Sequence, residues 1–198
     1  SGDLFFDGKQ INGLLTHKIV ILGIARTFQT IRLFQTMSVL ENVLAGCHCR
    51  MKSGVIAGMF HTPRHKREEK DALKLALSEL EFVGLRDDAQ QLAKNLSYGN
   101  QRLLEIARAL ATNPRLLILD EPAGGMNEQE TEALIELIRK IQARGLTVLL
   151  IEHDMGLVMK ACEQIVVIEY GGKIAEGTPE EIKNNSRVIE AYLGTDED

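Results

Sequence analysis

Two runs stand out in the second half of the chain, the unbroken apolar Leu116-Leu117-Ile118-Leu119 and the β-branched stretch from Leu146 to Ile151, which carries TVLLI. Such runs suit strands covered on both faces, as in a parallel α/β sheet. Elsewhere the spacing of apolar positions switches to that of a helix. Leu103, Ile106, Ala107, Leu110 and Ala111 form one stripe, with Arg102, Glu105 and Arg108 on the other side. Ser97 is the N-cap of that helix, Tyr98-Gly99-Asn100 open it, and Asn113-Pro114 stop it. A second amphipathic helix runs from Arg64 to Phe82 on Ala72, Leu73, Leu75, Ala76 and Leu80, started by Pro63 and closed by Gly84. Its leading RHKREEK mixes signs and reads as a solvated face.

The remaining punctuation is local. The chain opens on a short strand, an Asp7-Gly8 turn and a second short strand reaching Ile11. Thr16 to Leu22 reads as a helix and Ile24 to Phe28 as an extended run. Ser38 and Glu41 make a capping box for a helix through about Met51, with a loop or frayed end over Ser53 to Met59. Asn127 and Glu130 make another capping pair for a helix to about Arg144, which Gly145 ends. A short helix follows from Asp154 to Cys162, then a hairpin of Gln164 to Glu169 and Gly172 to Glu176 around Tyr170-Gly171. Thr178-Pro179-Glu180-Glu181 is a strong helix start, and Thr195 to Asp198 form an acidic tail expected to be disordered.

Composition narrows the classes of function. The 198 residues carry a net charge of −5, the opposite of the basic footprint that broad nucleic-acid binding needs. No apolar run approaches the ~20 residues of a membrane span. Three cysteines and no signal peptide fit a reducing compartment. Cys47-His48-Cys49 has the wrong spacing for a zinc knuckle and no second ligand pair follows it.

Candidate chemistry sits at the strand ends. Asp120 and Glu121 end the first apolar run, where open α/β sheets keep their ligand crevices. Neighbouring carboxylates there suit magnesium and water chemistry, one holding the ion and the other polarising the attacking water. His153 ends the second run, within Glu152-His153-Asp154. The small, hydroxylated helix start at Ser97 presents free N–H groups and a positive dipole end, a ready anion site.

Each of these features is common alone. Together, 24 positions apart from Leu96 to Asp120 and in this order, LSYGN and LLILDEP resemble the signature and Walker B motifs of ATP-binding cassette (ABC) ATPases. Gln29, within RTFQTIRLF, is similar to the family's Q-loop glutamine; Ala123-Gly124-Gly125-Met126-Asn127 takes the place of its D-loop, and His153 that of its switch histidine. The closing NNSRVIEAYLG resembles the C-terminal motif of the branched-chain amino acid subgroup, of the larger ATPase subunit type. Tyr98 and Asn127 depart from the general pattern, which often has Gly and Asp there, in ways usual for this subgroup.

The resemblance implies an α/β fold: a P-loop NTPase-like ABC cassette with a mostly parallel core sheet, a small antiparallel β part and a helical insert. It divides the chain into a hairpin and Q-loop region (1–36), a helical subdomain (37–113), a core α/β part (114–177) and C-terminal helices with the tail (178–198). It implies ATP and Mg2+ as ligands. Glu121 would be the general base, with His153 and Gln29 sensing the γ-phosphate; Asp120 and Gln29 would hold magnesium through water. Ser97, Tyr98, Gly99, Asn100, Gln101 and Asn127 would meet nucleotide held by a partner. The implied partners are a second ABC ATPase subunit, two membrane permease subunits and, indirectly, a solute-binding protein, at the cytoplasmic face of the plasma membrane. The alternatives are a related importer for urea or another small solute, and a non-catalytic cassette serving as an interaction module.

One departure is large. The G-x-x-x-x-G-K-[ST] phosphate loop occurs nowhere in the sequence. In the family it precedes a hairpin like the one over residues 1–11, so the chain reads as a cassette lacking its N-terminal portion and inactive alone. The two apolar strands are then expected to lack a neighbouring strand and its helix.

Overall fold

Asp7 and Gly8 take φ of 48° and 73°, the left-handed turn that pairs Phe5–Phe6 (β1) antiparallel with Lys9–Gln10 (β2). The computed structural model describes residues 2–50 and 63–193. Thr16–Leu22 (α1) leads into Ile24–Arg26 (β3). The extended run was expected to reach Phe28. It leaves the sheet two residues sooner, although the Thr27 N–H still donates to the Ile118 carbonyl at 2.9 Å.

Val39–Cys47 (α2) starts on the expected box: Ser38 Oγ accepts from Glu41 N, and Glu41 holds the Ser38 N–H in return. Those bonds to Ser38 keep the Glu41 carboxyl below its ordinary range. After Cys47 the helix tightens into a 3-10 turn, His48–Arg50. The expected loop over 53–59 and the acidic tail over 195–198 lie outside the described residues. Pro63–Phe82 (α3) and Tyr98–Leu110 (α4) complete a helical part that packs on α2. Leu116–Asp120 (β4), Glu128–Ala143 (α5), Thr147–Ile151 (β5) and Met155–Ala161 (α6) follow. Ile165–Glu169 (β6) and Gly172–Gly177 (β7) form the hairpin, and Pro179–Lys183 (α7) and Ser186–Leu193 (α8) come last.

The central sheet is parallel, in the order β3-β4-β5, with Asp120 opposite Ile151 at its carboxyl end. β1-β2 and β6-β7 are separate antiparallel pairs. One core runs from Ala25 through Val43, Leu80, Leu104 and Leu117 to Ile138, so the helical part and the sheet share it. A smaller core of Val158, Ile165, Val167, Ala175, Ile182 and Val188 joins the hairpin to the last helices. Arg144 fastens α5 to α3 through Glu79 at 2.6 Å, its guanidinium 3.3 Å from the centre of the Phe82 ring.

The expectation of two strands covered on both faces needs correction. Leu117 and Leu119 are buried, but Leu116 and Ile118 are only half-covered. On β5 the outer residues Leu149 and Ile151 are 49% and 44% exposed. They line an open cleft of about 810 Å³ between β5 and β6, with Val166 and Ile168 on its far side. Described residues cover one face of β5 and leave the other open.

Burial also fixes the chemistry of Cys47. It pushes the thiol up to about 11 from an ordinary 9.0, with Cys49 and Glu79 adding to the shift. The thiolate is the reactive form, so in the native chain alkylation of Cys47 at neutral pH is expected to be about a hundredfold slower than in denaturant. Equal rates by mass spectrometry would contradict the burial.

Candidate functional site

Parallel strands put their carboxyl ends together, and here that gathers residues far apart in sequence. Glu121 follows β4 with φ of 45°, an uncommon conformation for a residue with a side chain. Its N–H donates to the Ile151 carbonyl at 2.9 Å, which locks the turn to the end of β5. Glu121 Oε2 accepts from Gln29 Nε2 at 2.7 Å. On the other side His153 Nδ1 stands 3.8 Å from Glu121 Oε1. Gln29, Glu121 and His153 thus meet, from the chain after β3, β4 and β5 respectively.

Asp120 lies beside them. Its backbone N–H donates to Thr27 Oγ1 at 3.3 Å and its Oδ2 accepts from Arg26 Nη2 at 2.6 Å. The Arg26 side chain is 51% exposed, so this ion pair contributes little and yields easily to a stronger cation. Glu152, whose side chain is 2% exposed, accepts from the backbone N–H groups of Ala123 and His153 and fastens the two turns together. His153 itself is 75% exposed.

The second group of expected residues forms around the start of α4. Ser97 Oγ accepts from Asn100 N at 3.2 Å, the predicted cap. Ser97 and Tyr98 are exposed, and Gly99 is buried against the carboxylate of Glu130. Asn127 Oδ1 caps α5 through Glu130 N at 2.9 Å, and Glu130 Oε2 holds the Asn127 N–H at 3.0 Å. Gln101 is tied inward, donating to the Leu96 carbonyl at 3.0 Å and accepting from Gln35. Ser97 and Tyr98, with the half-buried Asn100, therefore make the outward face over the buried Gly99, while the side chains of Gln101 and Asn127 are committed to local bonds.

A Cβ at Gly99 would stand 2.6 Å from Glu130 Oε1. Gly99→Ala is expected to push that carboxylate out of the capping box of α5 and cost about 1 kcal/mol, the ordinary worth of a cap. Thermal unfolding checks it; an unchanged midpoint would contradict this packing.

Fit to a metal follows from the donor set. Among the described residues no three His, Cys, Asp or Glu side chains converge on one point. Mg2+ does not require that, being held by one or two carboxylates together with phosphate oxygens and water. Asp120 supplies a carboxylate, and Gln29, donating through Nε2, keeps its side-chain oxygen as a second hard donor.

What sequence reasoning missed lies between the two groups. Arg102, Glu105 and Arg108 were placed on the far side of α4 from its apolar stripe. Arg102 and Glu105 are instead 3% and 2% exposed, because the chain leaving β3 folds across that face. Arg102 Nη1 donates to the Phe28 carbonyl at 2.6 Å, and Nη2 to the Gln29 carbonyl. Three polar residues at helical spacing carry no sequence signal that separates a buried clamp from a solvated face.

Comparison with known proteins identifies the family. Residues 1–124 match the family model for ABC transporters, and residues 173–198 match that for branched-chain amino acid ATP-binding cassette transporters. The chain is 48% identical over 194 residues to the high-affinity branched-chain amino acid transport ATP-binding protein BraF of Pseudomonas aeruginosa, covering 98% of this chain and 76% of that one. It is 45% identical over the same length to the corresponding protein LivG of Escherichia coli K12, with the same coverage. Among solved structures, the ADP conformation of an ATP-binding cassette of an ABC transporter superposes with a TM-score of 0.80 at 31% identity, covering 98% of this chain and 77% of that one.

Proposed function

We propose, on the premise that this chain belongs to the ABC transporter family, that it is the ATP-hydrolysing subunit of an importer for branched-chain amino acids. The observation that carries the chemistry is the contact of Gln29 with Glu121 at 2.7 Å, with His153 beside the same carboxylate. Glu121 takes the proton from the attacking water as general base. Gln29 fixes the orientation of that carboxylate, and the exposed His153 swings to the γ-phosphate. Asp120 and the side-chain oxygen of Gln29 would hold Mg2+, which when bound neutralises charge on the phosphates. Such a site works by positioning and charge stabilisation.

The outward start of α4 serves a different nucleotide. The turn of Ser97, Tyr98, Gly99 and Asn100, its Asn100 N–H capped by Ser97 Oγ, presents a helix dipole to the γ-phosphate of ATP held by a second subunit. Gln101 and Asn127 hold the two turns that form this surface. The 198 residues contain no G-x-x-x-x-G-K-[ST] phosphate loop. We assign residues 1–36 to the hairpin and Q-loop part, 37–113 to the helical subdomain, 114–177 to the catalytic core and 178–198 to the C-terminal helices and tail.

Among the described residues no helix is long and apolar enough to cross a membrane. The proposed place is the cytoplasmic face of the membrane, held there by two permease subunits, with a solute-binding protein on the far side. The test is transport by the assembled complex in proteoliposomes. Leucine-loaded binding protein is expected to stimulate ATP hydrolysis and leucine uptake together. Stimulation by urea and not by leucine would overturn the choice of solute, and absence of hydrolysis with every partner present would overturn the ATPase reading.

A further inference from the structure

We infer that Arg102 and Glu105 are positioning residues that couple the start of α4 to the loop carrying Gln29, and through Gln29 to the general base; this rests on the ATPase reading above. The pair is buried in the middle of the fold, with Arg102 Nη1 3.2 Å from Glu105 Oε2. A buried ion pair is costly and often replaceable by apolar side chains without loss of stability, so its presence asks for another role.

The geometry supplies one. The guanidinium makes one bond to Glu105 and spends its terminal nitrogens on the loop, at the Phe28 and Gln29 carbonyls. Its Nε is left buried without an acceptor, which a side-on pair with Glu105 would have satisfied. Glu105 Oε1 in turn accepts from the Arg32 N–H at 3.3 Å. One turn of α4 therefore grips the loop at residues 28, 29 and 32. At Gln29 the main-chain carbonyl is tied to α4 and the side chain to Glu121.

The other end of the grip reaches the surface. Arg102 Nη2 lies 3.2 Å from Tyr98 Oη, and the guanidinium sits over the Tyr98 ring at 5.6 Å. That ring lies close over Gly125, where a Cβ would stand 3.0 Å from it. A ligand that moves the exposed start of α4 thus pulls on Tyr98 and Arg102, and so on the backbone of Gln29. The planar fork of arginine suits two successive carbonyls, which an ammonium point charge does not.

The test uses the assembled transporter with Arg102→Met, and with Arg102→Met and Glu105→Leu together. The single variant strands a buried carboxylate and is expected to unfold at lower temperature. The double variant removes both charges of the pair, leaves Arg108 without the carboxylate 3.8 Å away, and is expected to recover most but not all of the lost unfolding midpoint. If the pair only stabilised the fold, the double variant would also recover everything else. As a positioning pair it does not: exchange of the hydrogen-bonded amides that flank the loop, Thr27 and Phe34, rises about tenfold or more, and kcat falls about tenfold with KM for ATP within twofold. Parental exchange and parental kcat in the double variant would overturn the inference. Should the double variant not fold, Arg102→Lys carries the same test, since it keeps the charge and loses the fork. Faster exchange at Thr27 and Phe34, whose N–H groups are held by Ile118 and Asn42, supports the clamp and unchanged exchange overturns it. Exchange needs no turnover, so the clamp is decided there separately from the ATPase reading, which a parent complex unable to hydrolyse ATP would overturn.

Discussion

Glu121→Gln lowers ATP turnover of the assembled transporter by about 10²- to 10⁴-fold, the usual worth of a positioned general base, and leaves ATP binding near its parental strength. The substitution keeps size and shape. The new amide oxygen can still accept from Gln29 Nε2, and the N–H bond to Ile151 that fixes the turn belongs to the backbone. What disappears is the ability to take a proton. Binding made by phosphate and adenine contacts is common to ground and transition states, so KM stays and kcat falls. Stopped turnover with ATP still bound, measured by single-turnover hydrolysis and nucleotide retention, is the expected pair of results. Residual turnover within threefold of the parent would remove Glu121 from its role.

Gly46→Ala destabilises the chain by about 2 kcal/mol, where helix propensity alone would favour it by about 1 kcal/mol. Gly46 lies on α2 where that helix meets α4. A Cβ there would stand 2.3 Å from the Arg108 carbonyl oxygen and 3.3 Å from the Ala111 Cβ. Neither is the end of a flexible side chain, so the helices must part. The shift in unfolding midpoint is about 4–8 °C downward for a chain of this size. An upward shift would mean that α2 and α4 do not touch at Gly46.

These two substitutions differ in how visible their sites are in sequence. Glu121 is legible because the apolar run before it and the carboxylates after it both speak of a strand end, and the order of motifs from Gln29 to His153 places them on one sheet. The capping boxes at Ser38, Asn127 and Thr178 are equally local and all three form. Gly46 is illegible: within a helical pattern it looks like a weak point, and only the approach of α4 makes it necessary. Arg102 and Glu105 are hidden for the same reason, since whether a polar helix face meets water or a crossing loop is decided by a segment some 70 residues away. β5 shows the converse. An apolar run signals what a strand can bury, and Leu149 and Ile151 remain exposed because no described residue covers that face.

Everything in the functional reading turns on where Ser97 goes when ATP is bound. The most direct measurement is a structure of the assembled Glu121→Gln transporter with Mg2+ and ATP. The expected result is the Ser97 hydroxyl at about 3 Å from the γ-phosphate of the nucleotide held by the other ATPase subunit, with Gln29 and His153 of this chain at a separate nucleotide. Two bound nucleotides with Ser97 facing solvent and beyond hydrogen-bond reach of either phosphate would contradict it.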